Sequence, residues 1–400
     1  MNNTYSTGYD IGSPTSTESS TLIPTPFTSR ASSISQPSPT NIPPGPLNLT
    51  MLSTTSWRQP YPSVGQFAMM DSEEVVAAGP DGLFYFWRVQ DHAATPWTES
   101  RPFPSVGVTL NKLTVSGMAL YSGEDSSSRP RLYLYCISGG VLYSFYTTDK
   151  KNPTFLLDTS PPPAGHRVMG KPAVVLSRKS FGSSDQWSLV VPCQSGGLLH
   201  TSATASTSSY GNSASTKWDA VDHLATDLGI ISAVSVTAVH TNSRHYSDNT
   251  DLVAVCISGG QLNVVQGSLG RKWEGKTSTR IPHPGEVTGN PVVMTHTNID
   301  GQTQLDLLVP SARGGIFHFV RTQSAPNDWH MIGRVAFPQN IPSASCLSFY
   351  SHPGRYGAPR TLYALVQIHS RLYHVKTTDG KLPWRNACLN PIMHPGPFFD

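Results

Sequence analysis

Charge is what this 400-residue chain has least of: Lys, Arg, Asp and Glu together make up 13% of it, and the formal net charge is +3. Lys and Arg never run longer than two in a row, so a nucleic-acid partner is not expected. No stretch of apolar residues reaches the length of a membrane-spanning helix, which removes a transmembrane segment from the expectation. The first residues, MNNTYSTGYDIG, lack both a basic start and an apolar segment, so no secretory leader is recognised. The expected compartment is cytoplasmic, with the secretory pathway left open. Five cysteines occur without a CxxC pair, and a disulfide framework is not expected. Phosphate-loop, dinucleotide, zinc-protease and nucleophile-elbow motifs are all missing, so no cofactor is expected.

What is plentiful is glycine, 33 residues, and proline, 34, which with few charges suits many short strands joined by turns. One stretch recurs. Leu252 to Asn263 reads LVAVCISGGQLN, and near-copies stand at Leu132 to Tyr143, Leu189 to His200 and Asp306 to His318, with weaker ones at Val75 to Tyr85 and Tyr363 to His374. Taking the second turn residue as marker gives Gly82, Gly140, Gly197, Gly260, Gly315 and Arg371, at intervals of 58, 57, 63, 55 and 56 residues. Each Gly-Gly pair has a short apolar stretch before its own strand, from Phe67 to Met70 in the first copy to Cys346 to Phe349 in the last. A large aromatic residue follows each hairpin: Trp97, Phe155, Trp218, Trp273, Trp329 and Trp384. About four strands per unit at this spacing predict an all-β fold, a six-bladed β-propeller of four-stranded blades. Trp57 leaves room for a seventh, degenerate blade.

Residues 1–50, rich in Ser, Thr and Pro, are expected to be a disordered tail. Residues 51–400 are expected to form a single propeller domain closed by pairing of N- and C-terminal strands, with Phe67 to Met70 as outer strand of the last blade. The strand before each Gly-Gly turn is expected innermost. Its last position reads Ala78, Cys136, Cys193, Cys256, Ser311 and Gln367, which makes Gln367 the one long side chain aimed at the axis.

Candidate ligand contacts follow from the repeat's columns. His200, His318 and His374 share a column with Tyr85, Tyr143 and Asn263, and Arg88 and Arg321 share another. A metal is not expected there, because ligands must stand about 2.1 Å from one ion whereas packed sheets lie about 10 Å apart. The guanidinium groups suit an anionic or polar ligand, and the tyrosines can line a pocket as readily as a core.

The segments GGIFHFVRTQSAPNDW and SRLYHVKTTDGKLPW resemble blades of the fungal and bacterial lectin-like propellers, a likeness that covers about residues 66–386. In the fucose-binding fungal lectins of that scaffold an Arg, a Glu and an aromatic residue hold the sugar in blade after blade. Here no Glu recurs in a column and Arg recurs only twice. A second group on the same scaffold, the fungal hetero-Diels-Alderases, joins a tropolone quinone methide to a humulene-type terpene without a cofactor. The resemblance therefore implies either a cofactor-free pericyclase acting on small apolar organic ligands, which is the first expectation, or a glycan-binding lectin. A protein-interaction propeller is the third.

Overall fold

The computed structural model describes residues between 66 and 391, apart from inter-strand segments of which the longest are 88–100, 107–114, 178–185, 206–215, 241–249, 336–345, 353–360 and 377–387. The described residues form six sheets in chain order, four of four strands and two of five, all within the compact unit Pro44–Asp400. Each sheet begins with the apolar stretch anticipated for it: Phe67–Met70, Val115–Glu124, Ala173–Ser177, Ile231–His240, Val292–Thr297 and Cys346–His352. Each of these first strands adjoins the first strand of the next sheet, and the sixth adjoins the first. The ring they draw is the inner wall of a six-bladed β-propeller. Among the described residues no helix is long and apolar enough to cross a membrane.

Two expectations are corrected. The strand before the hairpin is second from the axis, because the inner wall is built from first strands that bond across blades. Thr237 Oγ1 and Thr295 Oγ1 are 2.8 Å apart, and Val293 N donates to Ser235 Oγ at 3.0 Å. Second strands are instead buried on both faces, as in Gln186–Pro192, where every residue is buried. The other correction concerns closure. Phe67–Met70 pairs with Glu74–Gly79 as the inner strand of blade 1, and blade 6 completes itself with Cys388–Pro391. Blades 6 and 1 meet by packing Leu365 and Leu372 against Phe67, Val75 and Ala77.

Blades 2 to 5 alternate in kind. Blades 2 and 4 turn on Gly139–Gly140 and Gly259–Gly260, all four at positive φ, the two-residue hairpin that matches strand twist. Blades 3 and 5 instead close five-residue loops, with Cys193 N bonded to Gly197 O at 3.0 Å and Ser311 N to Gly315 O at 3.1 Å. The segments entering blades 3 and 5 also match. Val168 N reaches Gly140 O at 3.1 Å and Val287 N reaches Gly260 O at 3.3 Å, while Met169 N and Thr288 N each bond at 3.0 Å to the proline that precedes their own hairpin loop. Blades 2 and 4 start with a bulge, at Val115/Gly117 and Ile231/Ala233. From blade 2 to blade 5 the structural repeat is thus a pair of blades. Asn290 Nδ2 donates to Gln66 Oε1 at 2.7 Å, tying the entry of blade 5 to that of blade 1.

One strand breaks the chain order. Ser105–Val106 follows the outer strand of blade 1, Arg101–Pro102, and pairs in parallel with Phe155–Leu157 on the outer edge of blade 2.

The inner wall is closely packed backbone on backbone. A Cβ on Gly117 would stand 2.0 Å from Gly170 O, and one on Gly170, at φ +65°, would stand 2.3 Å from Ser232 O. Gly139, at φ +59°, has nothing within 4 Å. Alanine substitutions therefore separate the causes. Gly139→Ala is expected to cost about 1–2 kcal/mol from left-handed backbone alone, Gly117→Ala about 1–3 from overpacking alone, and Gly170→Ala about 2–5 from both. Denaturant midpoints measure the order, and Gly139→Ala as the most damaging of the three would contradict it.

Candidate functional site

Strand register decides where each candidate side chain points. Tyr85 lies opposite Val76, His200 opposite Val190 and His318 opposite Leu308. All three are on third strands of odd-numbered blades, and all are buried. Tyr85 and His200 face the following blade. Tyr85 meets Phe155 edge-on at 6.1 Å, and His200 stacks on Trp273 at 4.9 Å.

Each of the three has a polar neighbour at the equivalent place on its second strand. His318 Nε2 is 2.9 Å from Asp306 Oδ1, with both side chains fully buried, and Gln304 Nε2 donates to the same oxygen at 3.3 Å. His200 Nε2 is 3.3 Å from Ser188 Oγ, while its Nδ1 is 3.8 Å from Asp222 Oδ2. Burial pushes the His200 imidazolium below its usual range, opposed by Asp222 and Asp219. In blade 1, burial and the Glu74 carboxylate push the Tyr85 phenol upward. His318 with Asp306 and His200 with Ser188 are hydrogen-bonded polar pairs inside blade interfaces, where an unmatched group would be costly.

The other candidates do not join them. Tyr143 is half-buried opposite Cys136 and packs toward blade 1, on the opposite face from His200. Gln367 pairs with Cys346 and Leu372, is 5% exposed, and lies in register with Ile137 and Ile257, not with the cysteines. It sits behind the inner strand and does not reach the axis. The backbone of His374 pairs with Leu365 and Asn390, and Arg88 lies outside the described residues. Hairpin length is one reason the columns divide: counting from the turn slips where five residues replace two, and a one-residue slip changes face. In blade 6, Arg371 pairs with Ile368 and is the first residue of its strand, which shifts that copy by one residue.

Cys136, Cys193 and Cys256 are free and buried. Burial pushes the first and third up to about 12, which keeps them as thiols at neutral pH. Among the described residues no three His, Cys, Asp or Glu side chains gather as a metal cluster.

The end of the strands remote from the hairpins holds a different arrangement. Arg321 of blade 5 places its guanidinium 5.2 Å over the Trp329 ring. Burial lowers it to about 10, partly offset by Asp251 of blade 4, whose carboxylate also accepts from Ser268 Oγ at 2.9 Å. The matching place between blades 2 and 3 went unread in the sequence. Arg131 stands there, nine residues before Gly140 as Asp251 stands nine before Gly260. Its guanidinium is 5.0 Å over Tyr146. Tyr133 packs within 6.3 Å of Tyr146 and 5.9 Å of Trp187, and Trp218 stands perpendicular to Trp187 at 6.4 Å. Arg131, Tyr146 and Trp218 are only half-buried, whereas Arg321 is 3% exposed. A guanidinium and aromatic faces therefore meet at the 2–3 and 4–5 interfaces, supplied from opposite sides, and of the two guanidinium groups only that of Arg131 reaches solvent.

Removing one member of the buried pair should be worse than removing both. Asp306→Ala is expected to destabilise by about 3–5 kcal/mol, and His318→Leu with Asp306→Leu by less, as read from denaturant midpoints. For His200 the folded-state value lies below the unfolded one, so its contribution is complete above about pH 6.5 and is lost as pH falls through the depressed value. His200→Gln should flatten the acid side of the stability profile below that pH.

Solved structures share this architecture. The fucose-specific lectin from Aleuria aurantia is 11% identical, with 84% of this chain and 99% of that one covered at a TM-score of 0.54. The BP39L lectin from Burkholderia pseudomallei is 16% identical over 81% of this chain and 84% of that one, TM-score 0.52. AofleA from Arthrobotrys oligospora is 11% identical over 84% and 88%, TM-score 0.52. No protein-family model matches the chain, and no curated protein sequence matches it. The chain has the fold of the lectin-like propellers.

Proposed function

We propose that this chain is a carbohydrate-binding propeller whose glycan site is the groove between blades 2 and 3. The observation that carries the reading is the half-buried guanidinium of Arg131 over Tyr146, at one end of a ring cluster that runs through Tyr133 and Trp187 to the half-buried Trp218. A sugar ring presents C–H groups that pack on aromatic faces and hydroxyls that accept from a guanidinium. Arg131 and Tyr146 supply both at one place, and both are half-buried. The lectin scaffold supports the reading: one of the similar structures is a fucose-specific lectin. The absence of a repeated Arg and Glu in the sequence fits a chain with one or two sites and not six.

The hetero-Diels-Alderase implied by the sequence resemblance rests on scaffold alone and is the competing outcome of the same experiment. Glycan-array screening followed by calorimetry on the full chain should identify a sugar. Arg131→Ala, Tyr146→Ala and Trp218→Ala should each weaken its binding at least about tenfold, equivalent to about 1.4 kcal/mol, while Arg321→Ala should leave this groove's affinity unchanged. If no glycan binds, and a hydroxymethyl-tropolone precursor combines with humulenol faster with protein than in buffer, the pericyclase replaces the lectin.

A further inference from the structure

Blade 3 departs from the repeat by carrying the longest interval, 63 residues between markers. The additional chain forms a short strand, Asp222–Leu224, which pairs with Leu198–His200 beside the regular outer strand. A 3-10 turn, Thr226–Leu228, follows, entered through Ala225 at φ 50°, a left-handed conformation that a non-glycine residue adopts at a cost. This turn is fastened to blade 4 by Ser258 Oγ, which donates to Leu228 O at 2.6 Å. The insertion is therefore a rigid platform. Its one ring that points away from the core is His223, which is exposed.

His223 has a partner ring. His166, also exposed, precedes the segment that enters blade 3, and the two imidazole centroids are 4.9 Å apart at 75°. The two residues that follow His166 are anchored: Gln194 N donates to Arg167 O at 2.9 Å, and Val168 N to Gly140 O at 3.1 Å. The equivalent entry to blade 5 has Gly285 at this position, so the pair belongs to blade 3 alone.

We propose that His166 and His223 form a surface site for one divalent transition-metal ion of the zinc, nickel or copper class. Metal to nitrogen takes about 2.1 Å and nitrogen to ring centre about 1.1 Å, so two imidazoles on adjacent corners of a tetrahedron or square stand about 4.5–5.2 Å apart, centre to centre. The observed separation falls in that range. Two nitrogens leave the remaining positions to water or to an oxygen ligand, as in an open site rather than a closed structural one. The site lies at the hairpin end of the strands, opposite the groove of Arg131, and does not depend on the glycan reading. It differs from the histidine column considered in the sequence, whose members lie in separate blades.

Calorimetric titration of the full chain with zinc, nickel and copper salts at neutral pH tests it. One ion per chain is expected, with a rise in thermal midpoint on adding metal. His166→Ala and His223→Ala should each weaken the site at least about tenfold, the smallest loss common when even a supporting group is removed. His330→Ala, an exposed histidine beside Asp328, should change nothing. Binding that persists in the double variant, or no saturable binding in the native chain, overturns the proposal and leaves an edge-to-face aromatic pair.

Discussion

Both faces of nearly every sheet in this ring are covered by a neighbouring sheet, and the arrangement of side chains follows from that constraint. A strand with two covered faces has no solvent side to receive a misplaced residue, so register must be exact and each polar group must find a partner at once. Asp306 with His318 and Ser188 with His200 are such matched partners. The inner wall is tighter still, since glycine carbonyls and α-carbons of consecutive blades come within contact of one another.

The period was legible in the sequence because hairpin glycines and outer aromatics are fixed by backbone geometry and by the volume between sheets. All six first strands and the burial of Phe155, Trp273 and Trp329 could be read in that way. Faces could not. Tyr143 and His200 stand the same number of residues after a Gly-Gly pair yet point to opposite neighbours, since one hairpin has two residues and the other five. Gln367 was misassigned because Arg371, taken as a turn residue, is already the first residue of its strand, which shifts the copy by one residue. Arg131 was missed because its column holds Arg in one blade pair and Asp in the next, so it showed neither a motif nor a constant charge. Had the chain been aligned in blade pairs, with Val168 against Val287, that column would have stood out as the place where charge changes sign.

Function in such a scaffold has to be written over a repeated background. At the 2–3 and 4–5 interfaces the guanidinium comes from blade 2 in one case and from blade 5 in the other, which reverses polarity while keeping an aromatic floor. At the 1–2 and 3–4 interfaces rings pack on buried groups instead, Tyr85 against Phe155 and His200 against Trp273. Variation between copies, more than any constant residue, separates the groove that admits a ligand from those that only hold the ring together.

The parallel strand Ser105–Val106 gives the ring a mechanical polarity. Having left the edge of blade 1, the chain is stitched to the edge of blade 2 before it turns inward, so this joint is fastened at its rim as well as at its hub. Between blades 6 and 1 the described residues offer apolar packing and no shared strand. Among the described residues the circle therefore behaves as a belt with one buckle: strain applied around it, by a ligand wedging two blades apart or by heat, collects at the joint held by apolar packing alone.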